Sequence, residues 1–157
     1  MSVFERLTQS LRDAGIEFAI TQHRAVYTSA EAAEVRGVSL HSGAKALILK
    51  GENEFLMAVI PADLALDSHS LRKRLGSKRM RFATKEEVLE MTGLTPGSIP
   101  PFGSLFGLPT ICDVRLRENA RINFNAGSHT DSVQMEYDDY VRYERPRVEV
   151  IAKEAST

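Results

Sequence analysis

"AKALILKGENEFLMAVI", residues 44–60, sets two mainly apolar runs on either side of Gly51-Glu52-Asn53. Each run has strand length, and a short glycine-containing interval between two such runs signals a hairpin. The stretch therefore predicts strands over 44–50 and 54–60. Outward from it, the same signature recurs near "IEFAITQH" (16–23), "RMRFA" (79–83), "TICDVRL" (110–116), "RINFNAG" (121–127), "DSVQMEY" (131–137) and "RVEVIA" (147–152). Helical signals fall irregularly among these strands. Phe4, Leu7, Leu11 and Ala14 repeat at helical intervals, and Gly15 stops that helix. Thr28 and Glu31 match a capping box ahead of a helix over 29–36, which Gly37 closes. "SHSLRKRLG" (68–76) reads as a short basic helix, "TKEEVLEMTG" (84–93) as a capped one, and "DDYVRYE" (138–144) as a further helical segment. Many short strands with helices inserted irregularly argue against a doubly wound parallel sheet. The expectation is an α/β mixed fold, a curved, barrel-like mixed β-sheet flanked by α-helices.

Size and charge bound the function. A chain of 157 residues with a 43% apolar share can bury a real core and is expected to form a single domain over 1–157. Twenty Lys and Arg against 21 Asp and Glu leave a formal charge of −1, so any nucleic-acid contact must come from a local patch. The strongest such patch is "LRKRLGSKRMR" (71–81), which carries Arg72, Lys73, Arg74, Lys78 and Arg79 without an acid. A charge run of this kind is a solvated helix face more often than a binding surface. The lone Cys112 excludes an internal disulfide and a cysteine metal cluster. The N-terminus lacks the unbroken apolar core of a signal peptide, and no stretch is long enough to span a membrane. A cytoplasmic protein is expected.

The absences narrow the chemistry. His23, His41, His69 and His129 show no metal-ligand spacing, and there is no Walker loop, dinucleotide fingerprint or nucleophile elbow. Cys112 lies in an apolar strand, where an inert thiol is expected. No metal and no cofactor is implied. Three features remain. Lys45 stands on a strand face with Leu47 and Leu49, either as an amine in water at the strand mouth or as a cation at a pocket rim. "TPGSIPPFG" (95–103) combines two glycines and three prolines, either as a stiff surface loop or as a rigid ring of N–H donors around Gly97, Ser98 and Ile99. Such donors suit a carbonyl oxygen that is gaining charge. "NAGSHTDS" (125–132) is a small-residue turn carrying His129.

In this order the three features resemble the YbaK-type editing domain, the family that includes the inserted domain of bacterial prolyl-tRNA synthetases and its free-standing relatives. The likeness runs from "HRAVYTSAEAAEVRGV" (23–38) to "YDDY" (137–140), with the lysine and the GxxxP loop, Gly97 to Pro101, as its most specific parts. The resemblance implies a trans-editing hydrolase that removes a small amino acid wrongly attached to tRNA. It aligns Lys45 with the family lysine, Gly97 and Pro101 with the loop, and Ala126-Gly127-Ser128 with the glycine turn. Catalytic roles are expected for Lys45, Gly97, Ser98 and Ile99, and substrate contacts for Pro101, Phe102, Gly103, Gly127, Ser128 and His129. Lys45 would hold a terminal phosphate, and the basic run would hold tRNA. The implied partner is aminoacyl-tRNA, with an aminoacyl-tRNA synthetase as a candidate protein partner and with neither DNA nor membrane involved. Two other classes stay open: a non-catalytic aminoacyl-tRNA or nucleotide-binding module, and a regulatory protein-interaction domain.

Overall fold

The structure is a computed structural model and describes residues 1–156. The chain runs α1 (Val3–Asp13), β1 (Phe18–Gln22), α2 (Ser29–Arg36), β2 (Ala44–Lys50), β3 (Phe55–Pro61), β4 (Leu64–Leu66) and α3 (Ser68–Leu75). It continues through β5 (Arg81–Phe82), α4 (Lys85–Thr92), β6 (Thr110–Asp113), β7 (Arg121–Asn125) and β8 (Asp131–Glu136). It ends with α5 (Tyr137–Glu144), β9 (Arg147–Glu149) and β10 (Ala152–Glu154). Local chemistry accounts for the helix ends. The Thr28 hydroxyl accepts the Glu31 N–H at 3.1 Å, and the helix closes at Gly37 with φ 68°. The Glu31 carboxylate accepts from the Thr28 hydroxyl instead of its backbone N–H, so only half of the expected capping box forms. The reciprocal box appears on α4, between Thr84 and Glu87.

The opening hairpin forms as the pattern requires, with β2 and β3 antiparallel from Ala44↔Pro61 to Lys50↔Phe55. It anchors a five-stranded sheet in the order β5-β2-β3-β6-β9, in which β3-β6 and β6-β9 are parallel. A second, antiparallel sheet has the order β1-β8-β7, and β10 pairs with β4. The fold is therefore mixed α/β. Among the described residues its ladders make three open sheets, and an isolated parallel bridge, Gly43↔Asn123, links the two larger ones.

Several strands differ from the sequence pattern. The expected strand over 110–116 stops at Asp113, whose carboxylate accepts the Arg115 N–H at 2.9 Å and turns the chain into a 3-10 segment, Val114–Glu118. The expected strand over 147–152 splits into β9 and β10, which join different sheets. Asp113 causes this too: its other carboxylate oxygen accepts the N–H groups of Ile151 and Ala152 at 2.8 and 2.7 Å. The 79–83 strand shortens to β5, and β4 had no signal in the sequence.

Alternation along the hairpin divides the core. Ala44, Ile48, Met57 and Val59 face a cluster with Leu7, Phe102, Phe124 and Tyr140. Leu49, Leu56, Ala58 and Ile60 face another with Leu71 and Ile151. Full burial of each large apolar side chain contributes about 1.5–3 kcal/mol. Among the described residues no helix is long and apolar enough to cross a membrane.

Candidate active site

Small side chains make room for a cavity of about 440 Å³ beside the start of β2. Ala32 and Ala33 of α2 face Ala44 and Ala46 of β2, and Pro96, Gly97, Ile99, Phe124 and Asn125 complete the wall. Among the described residues two cations line it, Arg36 and Lys45, and no carboxylate does. Lys45 is exposed at the strand mouth, and among the described residues it forms no ion pair. A concave site with unpaired positive charge suits an anionic ligand.

Gly97 adopts φ 91°, which favours glycine. Thr95 O accepts both the Ser98 N–H at 3.2 Å and the Ser98 hydroxyl at 2.8 Å, closing a tight turn. The β7–β8 turn then grips the loop from outside. Asn125 Nδ2 donates to Gly97 O at 2.7 Å, and the Gly127 N–H donates to Ser98 O at 2.8 Å. A trans peptide points its C=O and N–H in opposite directions. Holding Ser98 O toward Gly127 therefore aims the Ile99 N–H away from that turn. Among the described residues, the N–H groups of Gly97 and Ile99 have no acceptor. The three donors expected from the sequence are reduced to two, because the Ser98 N–H is already committed to Thr95.

The structure separates the remaining sequence-derived residues from the cavity wall. Phe102 is fully buried, edge-on to Phe124 and Tyr140 at centroid distances of 5.4 and 5.2 Å. Pro101 O accepts the Tyr140 hydroxyl at 2.6 Å. The Gly103 N–H donates to Thr110 Oγ1 at 3.0 Å, and a Cβ there would lie 2.4 Å from that oxygen. These three residues anchor the loop in the core, and their placement gives no support to direct substrate contact. Ser128 closes its own turn, donating to Asp131 Oδ2 at 2.7 Å. His129 is held between Val26 O at 3.0 Å and Thr95 Oγ1 at 3.2 Å, with its ring 4.6 Å from that of Tyr27. Arg72, Lys73, Arg74, Lys78 and Arg79 lie away from the cavity: α3 packs through Leu71 into the cluster on the opposite sheet face. Cys112 is buried in the core, and burial pushes its thiol up to about 12, so it is no nucleophile.

Three cavity residues escaped the sequence reading. Tyr27 is exposed at the rim. Asn125 grips the loop, as described above. Arg36, just before the glycine that ends α2, reads in sequence as an ordinary helix-end cation. In the structure it turns inward: Nε donates to Ser132 Oγ at 2.8 Å and an Nη to Asn125 Oδ1 at 2.7 Å. Burial lowers its pKa to about 10, which leaves it charged at neutral pH.

Comparison with known proteins identifies the family. The profile of the aminoacyl-tRNA editing domain matches residues 23–143. The chain is 36% identical over 149 residues to the multifunctional Ser/Thr-tRNA deacylase ProXp-y of Escherichia coli K12, covering 92% of this chain and 89% of that protein. It is 38% identical over 87 residues to the proline–tRNA ligase of Trichlorobacter lovleyi, where the match takes in 55% of this chain and 15% of the ligase. A solved structure presented as a candidate trans-editing enzyme for prolyl-tRNA synthetase superposes with a TM-score of 0.85 at 22% identity, covering 98% of each chain. The chain belongs to the aminoacyl-tRNA editing domain family.

Proposed function

We propose that this chain hydrolyses the ester of aminoacyl-tRNA that carries a small amino acid. The observation that carries the reading is one cavity joining an unpaired lysine to a glycine-bent loop with two unengaged amides. An ester is already activated, so the site need only orient it, stabilise the oxyanion and exclude larger groups. The Gly97 and Ile99 N–H groups meet the carbonyl oxygen as charge develops, and Lys45 holds the phosphate of the terminal adenosine. Among the described residues no lining side chain is an acid or a histidine, which is compatible with the route the family resemblance implies, in which a ribose hydroxyl of the substrate activates the water. The alanine-lined wall admits a small side chain, and the named activity of the E. coli relative makes serine and threonine the first substrates to test. The two larger sheets are read as a barrel-like wall around the site, a reading supported by the Gly43–Asn123 bridge that joins them. The activity is assigned to the cytoplasm.

The test is a panel of mischarged tRNAs, scored for release of each amino acid by wild type and by Lys45→Ala. Loss of one charge-assisted hydrogen bond, about 1.5–3 kcal/mol, lowers kcat/KM roughly tenfold to 150-fold in a folded variant. Binding without release across the whole panel would show a carrier module instead. Near-normal turnover by Lys45→Ala would remove the lysine from the mechanism.

A further inference from the structure

We propose that Arg36 is a positioning residue for the hydrolytic loop, acting through Asn125 on the Gly97 peptide. The inference rests on the reading of that loop as the carbonyl-binding element. Three bonds form the relay. Arg36 donates to Asn125 Oδ1 at 2.7 Å, Asn125 Nδ2 donates to Gly97 O at 2.7 Å, and Ser132 Oγ fixes the other side of the guanidinium at 2.8 Å. His23 Nε2 lies 2.7 Å from the same Ser132 oxygen and supports it from outside. Accepting from Arg36 orients the Asn125 amide, because its oxygen must face the guanidinium and its NH2 is left to face the loop.

Two physical arguments make the relay more than packing. A guanidinium withdrawn from water without a carboxylate is costly, and Arg36 has only neutral acceptors among the described residues. Gly97, at φ 91° and without a Cβ, lacks the steric restraint that a side chain would place on the loop backbone. Rotation of the 97–98 peptide tilts both neighbouring peptides and with them the unengaged N–H groups of Gly97 and Ile99. The Asn125 bond opposes that rotation, and Arg36 holds Asn125 in the orientation that makes the bond.

The test compares Arg36→Met, Arg36→Lys, Asn125→Asp and Gly97→Ala by steady-state kinetics on mischarged tRNA, with backbone amide NMR of each variant. Asn125→Asp keeps the acceptor for Arg36 but deletes the donor to Gly97 O, so it breaks the relay while retaining the part-buried contact with Arg36. Arg36→Met and Asn125→Asp should each lower kcat roughly tenfold to a hundredfold with KM near wild type, the range expected for misplacing a reacting group. The Gly97 and Ile99 amide resonances should shift in both. Arg36→Lys should not rescue, because an ammonium cannot bridge the two acceptors as the planar fork does. Combining Arg36→Met with Asn125→Asp should add little to either change alone. Full activity in Arg36→Lys, or a raised KM at unchanged kcat in Arg36→Met, would overturn the relay and make Arg36 a simple charge or a direct ligand. If Arg36→Met does not fold, Asn125→Asp and the resonance shifts decide. An active Gly97→Ala would instead remove the reading of the loop, whereas an inactive Gly97→Ala beside fully active relay variants removes the relay alone.

Discussion

At Gly97 the proposed role belongs to the backbone, not to a side chain, and the structure sharpens the reason. A Cβ built there would lie 3.6 Å from His129 Cε1, an ordinary contact, so lack of space is not the obstacle. The obstacle is φ 91°, which an alanine adopts only with strain. Gly97→Ala should therefore turn the peptides on either side and lower kcat. Loss of one oxyanion donor costs about 2.7–4 kcal/mol, roughly a hundredfold to a thousandfold in rate. Ser98→Ala is the control. Its buried hydroxyl donates only to Thr95 O, so its loss should cost about 1 kcal/mol of stability and leave kcat within a few-fold. Measuring kcat and melting temperature for both variants separates the two cases, and a dead but stable Ser98→Ala would make the hydroxyl the working group.

Elements were more legible than contacts. Two apolar runs around a glycine-containing interval located the hairpin, and the capped pattern of "TKEEVLEMTG" located α4, because those signals act within a few residues of chain. The split of 147–152 was not legible: it depends on Asp113, far earlier in the chain, accepting two N–H groups. The site divided in the same way. Lys45 and Gly97 stood out by breaking a local pattern, while Arg36 looked like any helix-end cation until the fold turned it inward. Phe102 and Gly103 sat in the right motif but serve to anchor it. The basic helix α3 is a matter of placement. It lies behind the sheet that walls the cavity, and Lys73 and Arg74 are exposed there. If tRNA wraps this face, changing Arg72, Lys73 and Arg74 to glutamine should raise KM and leave kcat unchanged, because these residues are remote from the ester. The slope of log KM against log salt should flatten by roughly two to three, about one per lost phosphate contact. An unchanged slope would return the run to a solvated helix face.

At the scale of the molecule, the two larger sheets share a buried core and also meet at a polar seam, where the chain just before β2 contacts β7. Gly43 bridges Asn123, Asn123 Nδ2 donates to Ser42 Oγ at 2.9 Å, and Asn119 Nδ2 donates to His41 O at 3.1 Å. A Cβ at Gly43 would meet that of Ala62 at 2.9 Å, so the close approach requires glycine. The His41 ring completes the seam, reaching Asp63 at 2.8 Å on one side and Glu118 at 3.1 Å on the other. Its pKa is raised above 6.5, chiefly by the hydrogen bond to Asp63 and further by the charges of Asp63 and Glu118. A histidine whose pKa is raised on folding binds its proton more tightly in the folded state. Its contribution is therefore complete below the unfolded value of 6.5 and is lost as pH rises through the higher folded value. All three side chains are partly exposed, so the contribution is modest, about 0.2–1 kcal/mol. For a chain of this size that corresponds to at most about 2–4 °C in Tm. Melting curves of wild type and His41→Gln, followed from about pH 5.5 to about pH 8.5 across the histidine range, isolate the effect from other titrating groups. The Tm difference between them should be largest at the acidic end and shrink as pH rises. A difference that stays constant, or grows toward alkaline pH, would show that the seam is held by neutral hydrogen bonds and not by the charge on His41.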